Sequence, residues 1–119
     1  MVKTNRQVTT RDRETAYRNV INMWLKADPK NTEARVDYSL CLYQSGKEQE
    51  AFVQNRMILK QDASNAHALY NVGAIYANRG MSDSAKYYWG NLISSHPHDD
   101  LARKAEQNLK QLAGKNPAM

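Results

Sequence analysis

The sequence predicts an all-α protein made of stacked helical hairpins, and two observations support this prediction. The chain matches itself when it is shifted by 34 residues, with the identical pairs Asn31 and Asn65, Ala34 and Ala68, Gly46 and Gly80, and Ala51 and Ala85. Both paired glycines follow an apolar segment at the point where a helix would end, because glycine adopts a left-handed cap without steric cost. A self-match at this period is typical of helix–turn–helix repeats.

The composition is that of a globular protein. Hydrophobic residues make up 41% and charged residues 24% of the 119 residues, which excludes a disordered chain. No run approaches the roughly 18 apolar residues of a transmembrane helix, and residues 1–10 lack the apolar stretch of a secretory signal. We therefore expect a soluble protein, cytoplasmic by default, or a soluble piece of a longer protein. The single cysteine, Cys41, lies between two leucines and is expected to be buried and unreactive.

The formal net charge of +5 is concentrated at the two ends of the chain. Residues 1–30 carry seven basic and three acidic side chains, residues 31–100 carry six and eight, and residues 101–119 carry four and one. A nucleic-acid-binding protein more often carries a basic stripe on its folded body. The distribution therefore counts against nucleic-acid binding as the main function.

The first predicted helix covers residues 11–27 and has a wide apolar face, formed by Ala16, Tyr17, Val20, Ile21, Met23, Trp24 and Leu25. Residues 28–31 follow as a polar turn that contains a proline. The second and third predicted helices cover residues 32–45 and 48–61, joined at Gly46, and residues 62–65 form another polar turn. Ala51 is small, so it allows the two helices of this hairpin to pack closely.

The fourth and fifth predicted helices cover residues 66–79 and 82–95, and Gly80 joins them. Gly73 is the small residue where they cross, and Ser82 is expected to cap the start of the fifth helix. Pro97 ends this hairpin, because proline cannot extend a helix and restrains the residue before it. A last helix over residues 99–113 has one apolar face, formed by Leu101, Ala105, Leu109 and Leu112.

Residues 66–99 resemble a tetratricopeptide repeat, because the signature positions of that family are occupied by Leu69, Val72, Gly73, Tyr76, Gly80, Ala85, Trp89, Leu92 and Pro97. Residues 32–65 are a degenerate copy, with Ser39 at the small position and Ala63 in place of the proline. Arg35 stands where a large apolar residue is usual, so we expect looser packing there or an arginine that reaches solvent.

The resemblance implies a right-handed superhelix of about two and a half repeats. It divides the chain into a half repeat (11–31), two repeats (32–65 and 66–99) and a capping helix (100–113), with flexible tails at 1–10 and 114–119. The first helix of each unit then lines a concave groove. Carried over residue by residue, the groove positions are Val36, Asp37, Leu40, Tyr43, Gln44, His67, Tyr70, Asn71, Ala74, Asn78, Lys104 and Asn108.

These groove residues predict that the chain binds a peptide or helix of another protein. They combine an apolar and aromatic floor with amides that both donate and accept hydrogen bonds. Some family members clamp a C-terminal carboxylate with lysine and arginine side chains around a central asparagine. Asn71 matches that asparagine, but apolar residues occupy the positions of the cations, namely Val36, Leu40, Leu101 and Ala105. We therefore reject that activity for this chain.

Other functions have weaker support. The sequence has no phosphate-binding loop, serine elbow or paired-cysteine metal pattern, so we predict no enzymatic activity, small-molecule substrate or cofactor. Residues 96–100 contain two histidines and two aspartates, but a solvated turn explains them better than a metal site. Two alternatives remain, namely nucleic-acid or anionic-surface binding, and homodimerisation. The first would use Lys3, Arg6, Arg11, Arg13 and Arg18, and the second would use an uncovered Trp24.

Overall fold

A computed structural model describes residues 10–115, which form six α-helices and no strand within that range. The helices are α1 (Thr10–Ala27), α2 (Thr32–Gln44), α3 (Glu48–Gln61), α4 (Ala66–Asn78), α5 (Ser82–Ser95) and α6 (Asp100–Lys115). The prediction of an all-α protein is confirmed. Thr10, Gly114 and Lys115 are helical, although we expected them in the tails. The remainder of the predicted tails, 1–9 and 116–119, lies outside the described residues.

The first hairpin consists of α2 and α3, and the second consists of α4 and α5. An asparagine caps the first helix of each hairpin. The side-chain oxygen of Asn31 accepts a hydrogen bond from the Ala34 amide at 3.0 Å, and Asn65 accepts one from Ala68 at the same distance. Each bond satisfies one of the amide groups that the first turn of a helix leaves unpaired. The prediction that Ser82 caps α5 is wrong. Met81 is the N-cap without a side-chain bond, and Ser82 is already the first helical residue.

Glycine ends the first helix of both hairpins in the same geometry. Gly46 has a φ of +80° and Gly80 a φ of +74°, a region that other residues rarely adopt. In each turn the following amide reaches back five residues, from Lys47 to the Leu42 carbonyl and from Met81 to the Tyr76 carbonyl, at 2.9 Å. These bonds satisfy carbonyls at the helix end and reverse the chain. The next helix therefore runs back along the one before it.

The helices pack in chain order into an elongated body of 67 × 31 × 24 Å. Each helix contacts its successor, and α4 also contacts α6, the helix two places along. Buried side chains of α2, α3 and α4 join the two hairpins in small clusters, such as Ile58 with Ala68 and Ala51 with Ile75. None of the described helices is long and apolar enough to cross a membrane.

The second hairpin packs around the buried indole of Trp89. Its ring lies against Gly73, and a Cβ atom at that glycine would be 2.4 Å from the ring. The indole Nε1–H donates a hydrogen bond to the Tyr70 carbonyl at 3.0 Å. Leu69 and Leu92 complete a core cluster that extends to α6. The glycine therefore sets the distance at which α4 and α5 pack.

The first hairpin has polar residues at the equivalent core positions. Ser39 and Asn55 stand where the second hairpin has Gly73 and Trp89, and both side chains are fully buried. The Ser39 hydroxyl donates to the Val36 carbonyl at 2.8 Å. The Asn55 amide nitrogen donates to the carbonyl of Ala51 at 2.9 Å, whereas its oxygen has no hydrogen-bond partner among the described residues.

Arg35 is also buried in the first hairpin, at the position equivalent to Leu69. We expected looser packing there or an arginine that reaches solvent, and the second alternative is wrong, since only 9% of the residue is exposed. Its guanidinium donates to the Gln54 side-chain oxygen at 2.6 Å and to the Pro29 carbonyl at 3.0 Å. Neutral acceptors therefore hold this arginine inside the protein, because a buried donor left without an acceptor is costly.

Candidate functional site

The candidate site is the surface formed by α2, α4 and α6, which we call the groove. Two side-chain hydrogen bonds join these helices across that surface. Asn78 of α4 donates to the Tyr43 hydroxyl of α2 at 2.9 Å, and Asn108 of α6 donates to the Tyr70 hydroxyl of α4 at 3.1 Å. Four of the twelve groove residues predicted from the sequence are therefore paired, in two bonds that fix neighbouring helices relative to each other.

Tyr70 lies at the seam between α4 and α6. Its ring is half-buried and packs at a centroid distance of 6.1 Å from the Trp89 ring. Because its carbonyl accepts from the Trp89 indole and its hydroxyl accepts from Asn108, both ends of the residue are fixed. A side chain held in this way loses little further freedom when it binds a ligand.

Tyr43 lies at the other end of the groove, near the turn of the first hairpin. Its ring packs beside Leu42, Ala51 and Ile75 in the core between the hairpins. The hydroxyl accepts the bond from Asn78, and Glu48 lies 3.4 Å from the same Asn78 amide. Tyr43 therefore contributes to the packing between α2 and α4, and only part of its side chain faces solvent.

Asn71 is the least accessible polar residue of the groove. It is 7% exposed, and its Nδ2 group has no hydrogen-bond partner among the described residues. A buried donor without an acceptor costs about 1–3 kcal/mol. Such groups are rare enough in folded proteins that each needs a physical explanation.

Two cavities lie on either side of Asn71 along α4. The first, of about 380 Å³, is formed between the starts of α2 and α4 and is lined by Thr32, Glu33, Val36, Asp37, Asn65 and His67. The second, of about 230 Å³, is formed between α4 and α6 and is lined by Ala74, Ala77, Asn78, Trp89, Asn108, Gln111 and Leu112. The groove therefore has two recesses, separated by the turn of α4 that carries Tyr70 and Asn71.

The sequence prediction missed Gln111 and Leu112. They lie three and four residues after Asn108 in α6, a spacing that places all three side chains on the same face of the helix. This spacing was the signal that could have identified them.

The remaining predicted groove residues differ in exposure. Val36 is buried in the cluster with Ile58 and Ala68, and Leu40 packs partly buried against that cluster. Gln44, His67 and Lys104 are exposed. Asp37 lies near Tyr17 of α1. The pKa of the Tyr17 hydroxyl is raised, mainly by its partial burial and then by the negative charge of Asp37.

Residues 96–100 have structural contacts in the turn between α5 and α6. His96 Nε2 lies 2.5 Å from the Ser64 carbonyl, Asp99 accepts from the Leu101 amide at 2.8 Å, and Asp100 pairs with Arg103 at 2.6 Å. Within residues 10–115, no three His, Cys, Asp or Glu side chains are grouped as metal ligands would be.

Comparison with solved structures identifies the architecture. The chain superposes on the crystal structure of YrrB, described as a TPR protein with an unusual peptide-binding site, with a TM-score of 0.70 and 26% sequence identity over 81% of this chain. The chain has a tetratricopeptide-repeat fold. The match covers 50% of the YrrB chain, so this chain spans about half of that structure. No family model matches the sequence, and no curated protein matches it.

The tetratricopeptide-repeat fold indicates how the surface formed by α2, α4 and α6 is generally used. In stacked helical repeats, the first helix of each unit faces the concave side, and proteins with this fold commonly act as interaction scaffolds. The first hairpin departs from the pattern in its interior, at Arg35, Ser39 and Asn55, while it keeps the asparagine cap and the glycine turn. The polar core residues of the first hairpin are therefore compatible with the same caps and turns.

Proposed function

We propose that the groove binds an extended or helical segment of a partner protein. The observation that carries this proposal is the buried Nδ2 group of Asn71, which lacks an acceptor among the described residues. The donor is covered in the free chain, so a main-chain carbonyl of a bound peptide would reach it only when binding displaces the side chains over it, and would then recover the cost of leaving the donor unpaired. The recesses on either side of Asn71 would take the flanking side chains of the same segment.

The neighbouring residues support a peptide ligand of mainly neutral character. Ala74 and Ala77 leave room for a chain to approach α4, and Asn108 and Gln111 offer amide groups along one wall of the second recess. Tyr70 supplies a rigid aromatic surface, and tyrosine is a favoured residue at the energetic centre of interfaces. Glu33 and Asp37 make the first recess acidic, so we expect a basic or neutral residue at that end of the ligand.

The proposal is tested with peptides selected from a displayed random library on the wild-type chain. We expect the double variant Tyr70→Ala, Asn71→Ala to weaken the selected peptides by at least about tenfold, because it removes a hot-spot ring and a buried donor. Isothermal titration calorimetry gives the dissociation constants, and far-ultraviolet circular dichroism confirms that the variant is folded.

A matched control is available on α5, outside the groove. Tyr87 and Asn91 are exposed on α5, so Tyr87→Ala, Asn91→Ala makes the same pair of chemical changes away from the groove. This control should leave the affinities unchanged. Equal loss in both double variants, or no loss in the groove variant, would show that the selected peptides bind elsewhere.

A further inference from the structure

We propose that the chain has a second binding site, outside the groove, which takes a carboxylate side chain of an acidic partner segment. The site is a cavity of about 680 Å³ between α1, α2 and α3, with a buried arginine in its wall. It is lined by Asn19, Asn22, Met23, Leu25, Lys26, Arg35, Tyr38 and Gln54. We call it the α1 cavity.

Arg35 carries the argument because it is a buried cation without a counter-charge. Its Nη1 group donates to Gln54 Oε1 and approaches the Met57 sulfur at 3.6 Å, and its Nη2 group donates to the Pro29 carbonyl. None of these partners is charged, and no described carboxylate forms an ion pair with Arg35. An arginine has five N–H donors in a planar fork, so the Nε–H and one Nη2–H remain for a ligand.

The other polar groups of the α1 cavity also favour an anion. Lys26 adds a second positive charge, and Asn19 and Asn22 contribute amide groups, whereas no acidic side chain that the structure describes lines the cavity. Gln54 is oriented by Arg35. Since its oxygen accepts the guanidinium bond, its NH₂ group points away from that bond. A pair of carboxylate oxygens in this cavity would meet donors from three helices, and one of these donors is an arginine, which forms strong charge-assisted hydrogen bonds with carboxylates.

The size and the apolar wall of the cavity favour a protein segment over a free ion. A volume of about 680 Å³ exceeds what a single oxyanion fills, since one water occupies about 30 Å³ in the liquid. Met23 is 68% exposed and belongs both to this wall and to an apolar band on α1 that includes the 52%-exposed Trp24. A segment with alternating acidic and apolar residues would cover the band and place a carboxylate beside Arg35.

The same charges argue against a second copy of this chain as the occupant. A second copy that placed its own α1 cavity on this one, about a two-fold axis, would bring Lys26 and Arg35 of one copy near those of the other, and like charges at a desolvated interface are unfavourable. The charge distribution therefore selects an acidic partner.

The test uses two synthetic peptides, blocked at both ends, of repeating Leu-Glu-Glu and Leu-Gln-Gln. On the ¹⁵N-labelled full chain, the glutamate peptide should shift the Arg35 Nε–H signal and the side-chain amides of Asn19 and Asn22, while the glutamine peptide should not. Arg35→Leu restores the residue type found at Leu69 and should weaken the glutamate peptide by at least about tenfold. Lys26→Gln, on an exposed residue, should weaken it less and serves as a second variant.

Arg103→Leu is the matched control, because it makes the same substitution and charge change on an exposed residue of α6; it should change the affinity by less than about twofold. The groove variant Tyr70→Ala, Asn71→Ala should also retain binding, which separates this site from the proposed groove. Equal binding of both peptides, or full binding by Arg35→Leu and Lys26→Gln, would overturn the proposal.

The last measurement adds inorganic phosphate at millimolar concentration to the labelled chain and records the same signals. If it reproduces the shifts and the glutamate peptide fails to displace it, the site holds a free anion and the partner assignment is wrong.

Discussion

Replacing Gly73 with alanine should lower the free energy of unfolding by about 3 kcal/mol, because a Cβ atom there overlaps the Trp89 indole. The distance from that Cβ to the ring would be 2.4 Å, and the neighbour is a rigid aromatic ring that has no flexible end to move. Displacing the indole would also break its hydrogen bond to the Tyr70 carbonyl. The gain in helix propensity, about 1 kcal/mol, offsets only part of this loss.

Thermal unfolding followed by circular dichroism measures the effect, which should lower Tm by about 10 °C for a chain of this size. Gly90→Ala is the matched control. Gly90 lies inside α5, and a Cβ there would meet no atom within 4 Å. This control should therefore be neutral or stabilising by up to about 1 kcal/mol.

The double variant Gly73→Ala, Trp89→Leu identifies the cause of the loss. If the overlap with the indole is responsible, the second substitution relieves it, and the double variant loses less stability than the sum of the single variants. Strict additivity of the two losses would show that Gly73 is required for another reason, such as the close approach of the α4 and α5 backbones.

Replacing Asn55 with leucine should raise the free energy of unfolding by about 2 kcal/mol. The Asn55 side chain is fully buried, and its oxygen has no partner among the described residues. Removing an unsatisfied buried acceptor recovers about 1–3 kcal/mol, and burial of apolar atoms in its place adds to the gain. Leucine has the same branching and number of side-chain heavy atoms, so the volume change is modest.

Chemical denaturation gives the free energy directly, with the midpoint expected to rise at an unchanged slope. Asn91→Leu is the control, because it makes the identical change on an exposed position of α5 and should stay within about 0.5 kcal/mol of wild type. A loss of stability in Asn55→Leu would mean that the hydrogen bond from the Asn55 side chain to the Ala51 carbonyl stabilises the fold by more than the unpaired Asn55 oxygen destabilises it.

The two stability predictions describe hairpins that differ in their interior. The second hairpin is stabilised by an apolar core that extends from Leu69 through Trp89 to α6. At the equivalent positions the first hairpin holds Arg35, Ser39 and Asn55, whose polar groups are mostly paired with neutral acceptors. Because stability in stacked repeats is a sum of local and neighbour terms, we expect the α1–α3 end to exchange its amide hydrogens faster than α4 and α5.

The two proposed sites follow from this difference. The groove site rests on Asn71, whose buried donor has no partner among the described residues and lies beneath the surface formed by α2, α4 and α6. The α1 cavity rests on Arg35, whose buried charge is unpartnered between α1 and α3. In both places a buried polar group lacks a matching partner among the described residues, and such departures from local rules are common at functional sites. Separate variants and separate probes distinguish the two sites.

The amino-acid sequence by itself determined the repeat and its turns. The 34-residue self-match located α2 to α5 to within one residue, because glycine and proline act locally on the backbone and the apolar spacing follows the helical period. The wrong prediction at Ser82 has a local reason too, since the Gly80 turn makes Met81 the cap and places the serine one residue inside the helix. The asparagine pair at 31 and 65 was visible as an identity, and its role as a pair of caps became clear only from the hydrogen bonds.

Only the tertiary structure decided which polar side chains are buried and what they contact. Nothing local to Arg35 distinguishes an arginine that reaches solvent from one held by Gln54 and Pro29, because those acceptors come from another helix and a turn. The same is true of Asn71 and of the bond from Asn108 to Tyr70, which joins residues 38 positions apart. Burial depends on the distances between packed helices, and these are set by the whole stack and not by any one segment.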